Sequence, residues 1–340
     1  MILISHLKNG LRIFMHQMPY MKHINRAKLF ISLFTFIIII LFPGCKPVPQ
    51  LKAGEGYVNV KGGKIWYRIL GEGKKIPILM LHGGPGGTSR SFYQFASLGD
   101  ERPVIIFDQL GSGRSDHHTD STLLTVENFV QQVKAIKTSL GLKEFYLHGH
   151  SWGTALALEY YLKYPKGIKA LIFNSPYFST SVWKADADTL ISTLPDSIQL
   201  AIKTGEKNNN FESPEYKNAN EVFNKNFGVR KTRLTSELDT AISKGNKFIY
   251  NYMWGPTEFT ATGTLINYNR VPGLKTITVP TLFITGEFDE ARPATVKHFQ
   301  TLVPNAKYVM IEGAGHGTMH DNKSQNISAI KKFLAEVELK

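Results

Sequence analysis

The pentapeptide Gly149-His150-Ser151-Trp152-Gly153 constrains this chain more than any other segment. An apolar run, Phe145-Tyr146-Leu147, precedes it, and a helix-forming stretch from Thr154 to Glu159 follows. A serine at the tip of a sharp strand-to-helix turn sits in strained backbone. A Cβ at either flanking position would collide with a neighbouring strand or helix, so the chemistry needs both glycines. Alone, the pattern is compatible with a plain glycine-rich turn. Its strand and helix context decides for a nucleophile elbow with Ser151 as the nucleophile.

A nucleophilic serine needs a base, and the base needs an orienting carboxylate. In the strand-turn-helix arrangement both follow the serine in chain order, the acid first. The run Val279 to Thr285 reads as a buried strand that empties into Gly286-Glu287-Phe288-Asp289-Glu290. Asp289 is the candidate acid because it lies well into the loop; Glu287 and Glu290 flank it as surface charges or as alternative acids. The next run, Lys307 to Ile311, leads into Gly313-Ala314-Gly315-His316-Gly317, and His316 is the candidate base. Most of the eleven histidines have structural explanations. His117 and His118 lie in a polar loop, His298 on a helix face and His320 near a helix start. His148 and His150, beside the nucleophile, are expected to point away from Oγ or into the core.

Acyl transfer also needs backbone N–H groups facing the developing oxyanion. One comes from the residue after the nucleophile, Trp152. The other is expected from His82-Gly83-Gly84-Pro85-Gly86-Gly87, which follows the strand-like run Ile76 to Leu81. Such a glycine run lets the main chain approach a substrate carbonyl closely.

Four segments together carry a family resemblance: His82-Gly83-Gly84-Pro85-Gly86, Asp108-Gln109-Leu110-Gly111-Ser112-Gly113-Arg114-Ser115, Gly149 to Gly153, and Gly255-Pro256-Thr257-Glu258-Phe259. In that order they resemble the proline iminopeptidase family of α/β-hydrolases. The resemblance implies removal of an N-terminal residue, preferentially proline, from short peptides. It implies Ser151, Asp289 and His316 as the triad and the N–H groups of Gly84 and Trp152 as the oxyanion hole. It further implies that Glu258 meets the free amino terminus of the substrate. A second carboxylate of that kind is expected from an inserted cap, where Glu215 and Glu221 are both candidates. An acidic clamp makes physical sense, because an acylated amine would leave the buried charge unpaired. The plain alternative for Glu258 is a surface salt bridge.

The fold class expected is α/β: an α/β-hydrolase fold, with a mostly parallel sheet, helices on both faces and an inserted helical cap. From Glu55 to about Pro176 short apolar strands alternate with helical patterns, the signature of such a sheet. From about Tyr177 to Thr276 the chain turns polar and helix-like. The expected division is therefore a leader at 1–45, a first core part at 46–176, a helical cap at 177–276 and a second core part at 277–340. The last helix, Asn326 to Val337, carries Ile327, Ile330, Phe333, Leu334 and Val337 on one face.

The leader has Lys22, Arg26 and Lys28 before an apolar run fourteen residues long, Leu29 to Phe42, too short for a comfortable membrane span and suited to a signal peptide. It ends at Gly44-Cys45. Cys45 is the chain's single cysteine and resembles a lipobox cysteine, although Phe42-Pro43 is bulkier than usual there. The expectation is an exported protein, lipid-anchored to a membrane of the bacterial cell envelope; plain signal-peptide cleavage or a retained anchor helix are the alternatives, and Met21 is an alternative start to Met1. The net charge of +13 includes five basic leader residues, leaving +8 without a basic stripe, so no nucleic-acid partner is expected. No Cys/His cluster has metal-ligand spacing and no glycine loop has phosphate-binding form, so no cofactor is implied. An esterase or amidase on the same scaffold is the main alternative activity, because the cap sets specificity. A non-catalytic surface lipoprotein is the third reading.

Overall fold

A computed structural model describes residues 51–117, 120–231 and 244–339. Eight strands form one sheet: β1 (Gly54–Val60), β2 (Gly63–Leu70), β3 (Ile78–Leu81), β4 (Val104–Phe107), β5 (Phe145–His150), β6 (Ile168–Asn174), β7 (Thr281–Gly286) and β8 (Lys307–Ile311). Their order in space is β1-β2-β4-β3-β5-β6-β7-β8. The β1–β2 and β2–β4 pairs are antiparallel, and every later pair is parallel. Strands β3 and β4 are buried at every residue, as expected for short Ile/Leu/Val runs covered on both faces. Two apolar clusters lie on the two faces, one including Leu79, Leu81, Ile105 and Leu147, the other Ile78, Met80, Ile106 and Tyr146. Alternate residues of the same strands feed opposite layers.

On the core, helix α1 (Val126–Ser139) is capped by the Thr125 hydroxyl, and α2 (Trp152–Lys163) follows β5 directly. Between β6 and β7 the described chain carries four helices: α3 (Thr180–Ile191), α4 (Asp196–Lys207), α5 (Pro214–Phe223) and α6 (Lys247–Met253). Among the described residues this insertion adds no strand to the sheet. Its interior is a separate cluster that includes Ile198, Ile202, Tyr216, Phe223, Phe227 and Phe259. Each large side chain there contributes roughly 1.5–3 kcal/mol by leaving water, so the cap holds its own shape. After β7 come α7 (Pro293–Thr301), then β8, the short α8 (Thr318–Asp321) and α9 (Lys323–Glu338).

The leader, with Cys45, lies outside the described residues, as does His118. Among the described residues no helix is long and apolar enough to cross a membrane.

Candidate active site

Ser151 sits between β5 and α2 with φ 54° and ψ −127°, a left-handed conformation that is costly for a residue with a Cβ. Its neighbours explain why the turn tolerates nothing larger than glycine beside it. A Cβ on Gly149 would meet the Gly153 carbonyl oxygen at 2.3 Å, and one on Gly153 would meet the Leu81 carbonyl oxygen at 2.0 Å. The strain is held by hydrogen bonds at the turn: Ser151 N–H donates to the Asn174 carbonyl at 3.1 Å and Thr154 N–H to the Ser151 carbonyl at 2.8 Å.

Asp289 follows β7 and is buried, and its two oxygens accept four hydrogen bonds. Oδ2 takes the Gly286 N–H at 3.0 Å and the Thr285 hydroxyl at 3.2 Å; Oδ1 takes the Ala291 N–H at 2.8 Å and His316 Nδ1 at 2.8 Å. Burial alone would raise its pKa, but His316 and these donors bring it below the ordinary value. His316 is itself fastened. Its N–H donates to the Phe227 carbonyl at 2.8 Å, while its own carbonyl accepts from the Ser175 hydroxyl at 3.1 Å and lies 3.0 Å from His150 Nε2. The Trp183 ring meets the His316 ring edge-on with centroids 5.6 Å apart.

Gly84, Pro85, Ser151, Trp152, Tyr177, Trp183, Trp254, Glu258 and Leu265 line one narrow pocket with about 240 Å³ of empty space. Three of its walls are mutually packed aromatic rings: Tyr177, Trp183 and Trp254 meet edge-on at 5.4 to 6.2 Å. Glu258 is the only charged side chain on that lining. Its loop is stapled in place. Trp183 Nε1 donates to the Glu258 carbonyl at 2.9 Å, Trp254 Nε1 to the Thr257 carbonyl at 2.9 Å, and the Tyr216 hydroxyl bonds both Thr257 and Thr260. Burial, the largest influence, raises the Glu258 carboxyl above its ordinary pKa, against the pull of His316 and of the Tyr250 phenol beside it.

Behind the pocket runs a buried polar lattice. Gln109 donates its N–H to His82 Nε2 at 3.0 Å and its amide to the His82 carbonyl at 3.1 Å, while its Oε1 accepts from Trp152 Nε1 at 3.0 Å. This fixes the glycine loop that starts at His82 against the elbow. An oxyanion hole requires such preorganised backbone donors, and Gly84 and Trp152 both border the pocket beside Ser151.

The α/β-hydrolase fold model matches residues 76–323 of this chain. A proline iminopeptidase of Heyndrickxia coagulans is 38% identical over 285 residues, covering 83% of this chain and 99% of that protein. The chain belongs to the proline iminopeptidase family of α/β-hydrolases. Among solved structures, VinJ superposes with a TM-score of 0.80 at 28% identity, over 84% of this chain and 99% of that one. The proline iminopeptidase of Mycobacterium smegmatis superposes with a TM-score of 0.78 at 27% identity, again over 84% of this chain and 99% of its own.

Within this proline iminopeptidase family member, the two cap glutamates singled out in the sequence do not reach the pocket. Helix α5 turns Tyr216, Ala219 and Phe223 inward, a three-then-four spacing that leaves Glu215 and Glu221 exposed on its outer face. A different carboxylate approaches His316: Glu290, only 3% exposed, has Oε1 at 3.6 Å from His316 Nδ1. Its Oε2 is buried without a hydrogen-bond partner. Burial and then the charge of Glu258 push its pKa well up. Of the two readings the sequence leaves open for Glu290, a surface charge is thereby excluded; Glu287, two residues from Asp289 on the other side, is exposed and accepts the Gly313 N–H. His148 is buried edge-on between Phe92 and Phe95, and His150 turns toward the His316 carbonyl. His117 and His298 are exposed, and His320 is buried in α8.

Proposed function

We propose that this enzyme removes an N-terminal proline from short peptides through an acyl-enzyme. The observation that carries the reading is one pocket lined by Ser151, a carboxylate at Glu258 and the aromatic walls Tyr177, Trp183 and Trp254. The apolar faces of Tyr177, Trp183 and Trp254 suit a pyrrolidine ring. Glu258, with Glu290 behind it, suits the ring's ammonium. In this reading Ser151 Oγ attacks the prolyl carbonyl carbon. With His316 Nδ1 committed to Asp289, Nε2 is the nitrogen left to take the serine proton. The N–H groups of Gly84 and Trp152 stabilise the oxyanion, the proton passes to the leaving amine, and the C–N bond breaks. Water then repeats the sequence on the prolyl ester and releases proline.

We also read residues 1–45 as a lipoprotein leader, with Cys45 carrying a membrane anchor in the bacterial cell envelope. The basic residues Lys22, Arg26 and Lys28, the apolar run to Phe42 and the Gly44-Cys45 pair support this. Such an anchor would leave the hydrolase unit, compact from Gln50 onward, outside the cytoplasm to meet imported or environmental peptides.

The test uses a form starting at Lys46, assayed on prolyl-anilides, N-acylated prolyl-anilides and small esters. Hydrolysis of the free prolyl compound alone among the anilides is expected. Glu258→Gln should then cost the free-amine substrate about 2 to 5 kcal/mol in kcat/KM, the range for breaking a buried charge pair, with no such loss on a small neutral ester. Equal losses on both would assign Glu258 to the fold instead. Preference for esters over every prolyl anilide would favour the esterase reading.

A further inference from the structure

We propose that the substrate's own ammonium group switches His316 from a protonated resting form to a working base. This rests on the amine-clamp reading of Glu258 and Glu290. The geometry behind it is a crowd of acids around one ring. Asp289 Oδ1 lies 2.8 Å and Glu290 Oε1 3.6 Å from the same nitrogen of His316. Glu258 approaches from the cap, beside the serine. Two further ionisable groups stand at the cluster: His150, its ring centroid 4.9 Å from that of His316, is held neutral by burial with its pKa pushed down to about 3, and the Tyr250 phenol beside Glu258 is held neutral by burial and by the charge of Glu258.

Among the described residues neither Glu258 nor Glu290 has a lysine or arginine partner. The guanidinium of Arg292, two residues on from Glu290, is paired with Asp186. Burial raises both carboxyls toward their neutral forms, and a buried carboxylate stays ionised only beside a cation. In the empty enzyme the group that supplies positive charge to this cluster is therefore His316 itself. The same balance appears in its titration: burial pulls it down, but Glu290, Asp289 and Glu258 together raise it to about 9. An imidazolium cannot accept the Ser151 proton, so the resting site holds an acid where chemistry needs a base.

A prolyl ammonium entering the pocket replaces that charge. One cation arrives and one proton leaves Nε2 for solvent, so the net charge of the cluster is unchanged. The ring then has a lone pair free for the hydroxyl of Ser151. Recognition of the free amine thus acts on turnover as well as on binding. A neutral ligand of the same shape fills the pocket but leaves the ring protonated.

The experiment compares two esters with the full-length protein: proline ethyl ester and cyclopentanecarboxylic acid ethyl ester, whose ring has carbon in place of nitrogen. kcat is measured from pH 5.5 to 10 for each. For the cyclopentane ester the acid limb should lie near 9, so that at pH 7 kcat is about a hundredth of its plateau. For the proline ester the limb should fall at the ordinary histidine position of about 6.5, with the ester's own ammonium setting the upper end of its profile. Glu290→Gln should lower the cyclopentane limb by at least one pH unit, raising kcat at pH 7 about tenfold, while raising KM for the proline ester. Coincident acid limbs for the two esters in the unmodified enzyme would overturn the switch, whatever the variant does. A proline-ester KM untouched by both Glu290→Gln and Glu258→Gln would instead remove the clamp beneath it. A raised KM with coincident limbs would leave the clamp standing and sink the switch alone.

Discussion

Gly153→Ala is the most direct probe of how this backbone makes a nucleophile. The added Cβ would sit 2.0 Å from the Leu81 carbonyl oxygen, 2.7 Å from its carbonyl carbon and 2.9 Å from the His82 carbonyl oxygen. All three are main-chain atoms of β3 and of the loop that leads to Gly84, so no side chain can swing aside. Restoring an ordinary contact requires α2 and the glycine loop to part by about 1 Å. Overpacking of a rigid core costs about 1 to 3 kcal/mol, and a contact against backbone belongs at or above the top of that range. For a domain of this size, 3 kcal/mol corresponds to a fall in Tm of about 5 °C. The functional loss should be larger than the stability loss suggests. The same shift separates Ser151 from the loop carrying the Gly84 N–H, and a misplacement of about 1 Å is worth roughly a hundredfold in rate.

The assay pairs a thermal melt with the rate of fluorophosphonate labelling of Ser151. Gly228→Ala is the control, because a Cβ there meets only the Asn224 side chain, at 3.3 Å, which can rotate. Gly153→Ala with a Tm within 1 °C of the unmodified protein and labelling at half its rate or better would refute the steric account of the elbow.

Two further outcomes follow. His316 is raised above its unfolded value, so its contribution to stability is complete below pH 6.5 and is lost as pH climbs toward about 9; melts of the ligand-free enzyme should show Tm falling across that window, and Glu290→Gln should flatten the fall. At the other end of the chain, Cys45→Ser should shift the protein from the membrane fraction to a soluble or uncleaved form, and an intact mass of the native protein retaining residues 22–44 would defeat the anchor reading.

The legible parts of this site were those whose chemistry dictates local backbone. The elbow announces itself because a left-handed serine demands glycine on both sides, and the acid and histidine loops because each follows an apolar strand. Glu290 was not legible, since one step along a polar loop separates a solvated charge from a buried one. Its neighbours at this cluster come from elsewhere in the chain: Glu258 of the cap acts on its charge, and the Trp183 ring of the cap meets His316 edge-on. For Glu215 and Glu221 a usable signal did exist. Tyr216, Ala219 and Phe223 mark the inward stripe of α5, and both glutamates lie off it. The strands β1 and β6 carried no chemistry to draw attention to them, so the expected mostly parallel sheet did not say which edge is antiparallel.

The motifs that looked like separate signatures in the sequence form one hydrogen-bonded object. Gln109 spans the loop of His82 and the indole of Trp152, so two of the family segments are fixed by a side chain from a third. Asp108 stabilises its own loop, with Oδ1 accepting from the Ser89 N–H and hydroxyl and Oδ2 from the Arg114 N–H. The cap then closes the object from above. Asn246 donates its N–H to the Gly86 carbonyl and its amide to the Gly111 carbonyl, both at 2.7 Å. From the other side, the Phe227 and Gly228 carbonyls accept the N–H groups of His316 and Gly317. Asp321 bridges the same seam, accepting the N–H groups of Arg230 and Lys231 from the cap and of Gly315 from the histidine loop. A cap built only to choose substrates would have no need of main-chain bonds to both the oxyanion loop and the histidine loop. Its attachment to both means that displacing the cap would disturb the loop at 82–87 and the His316 loop together.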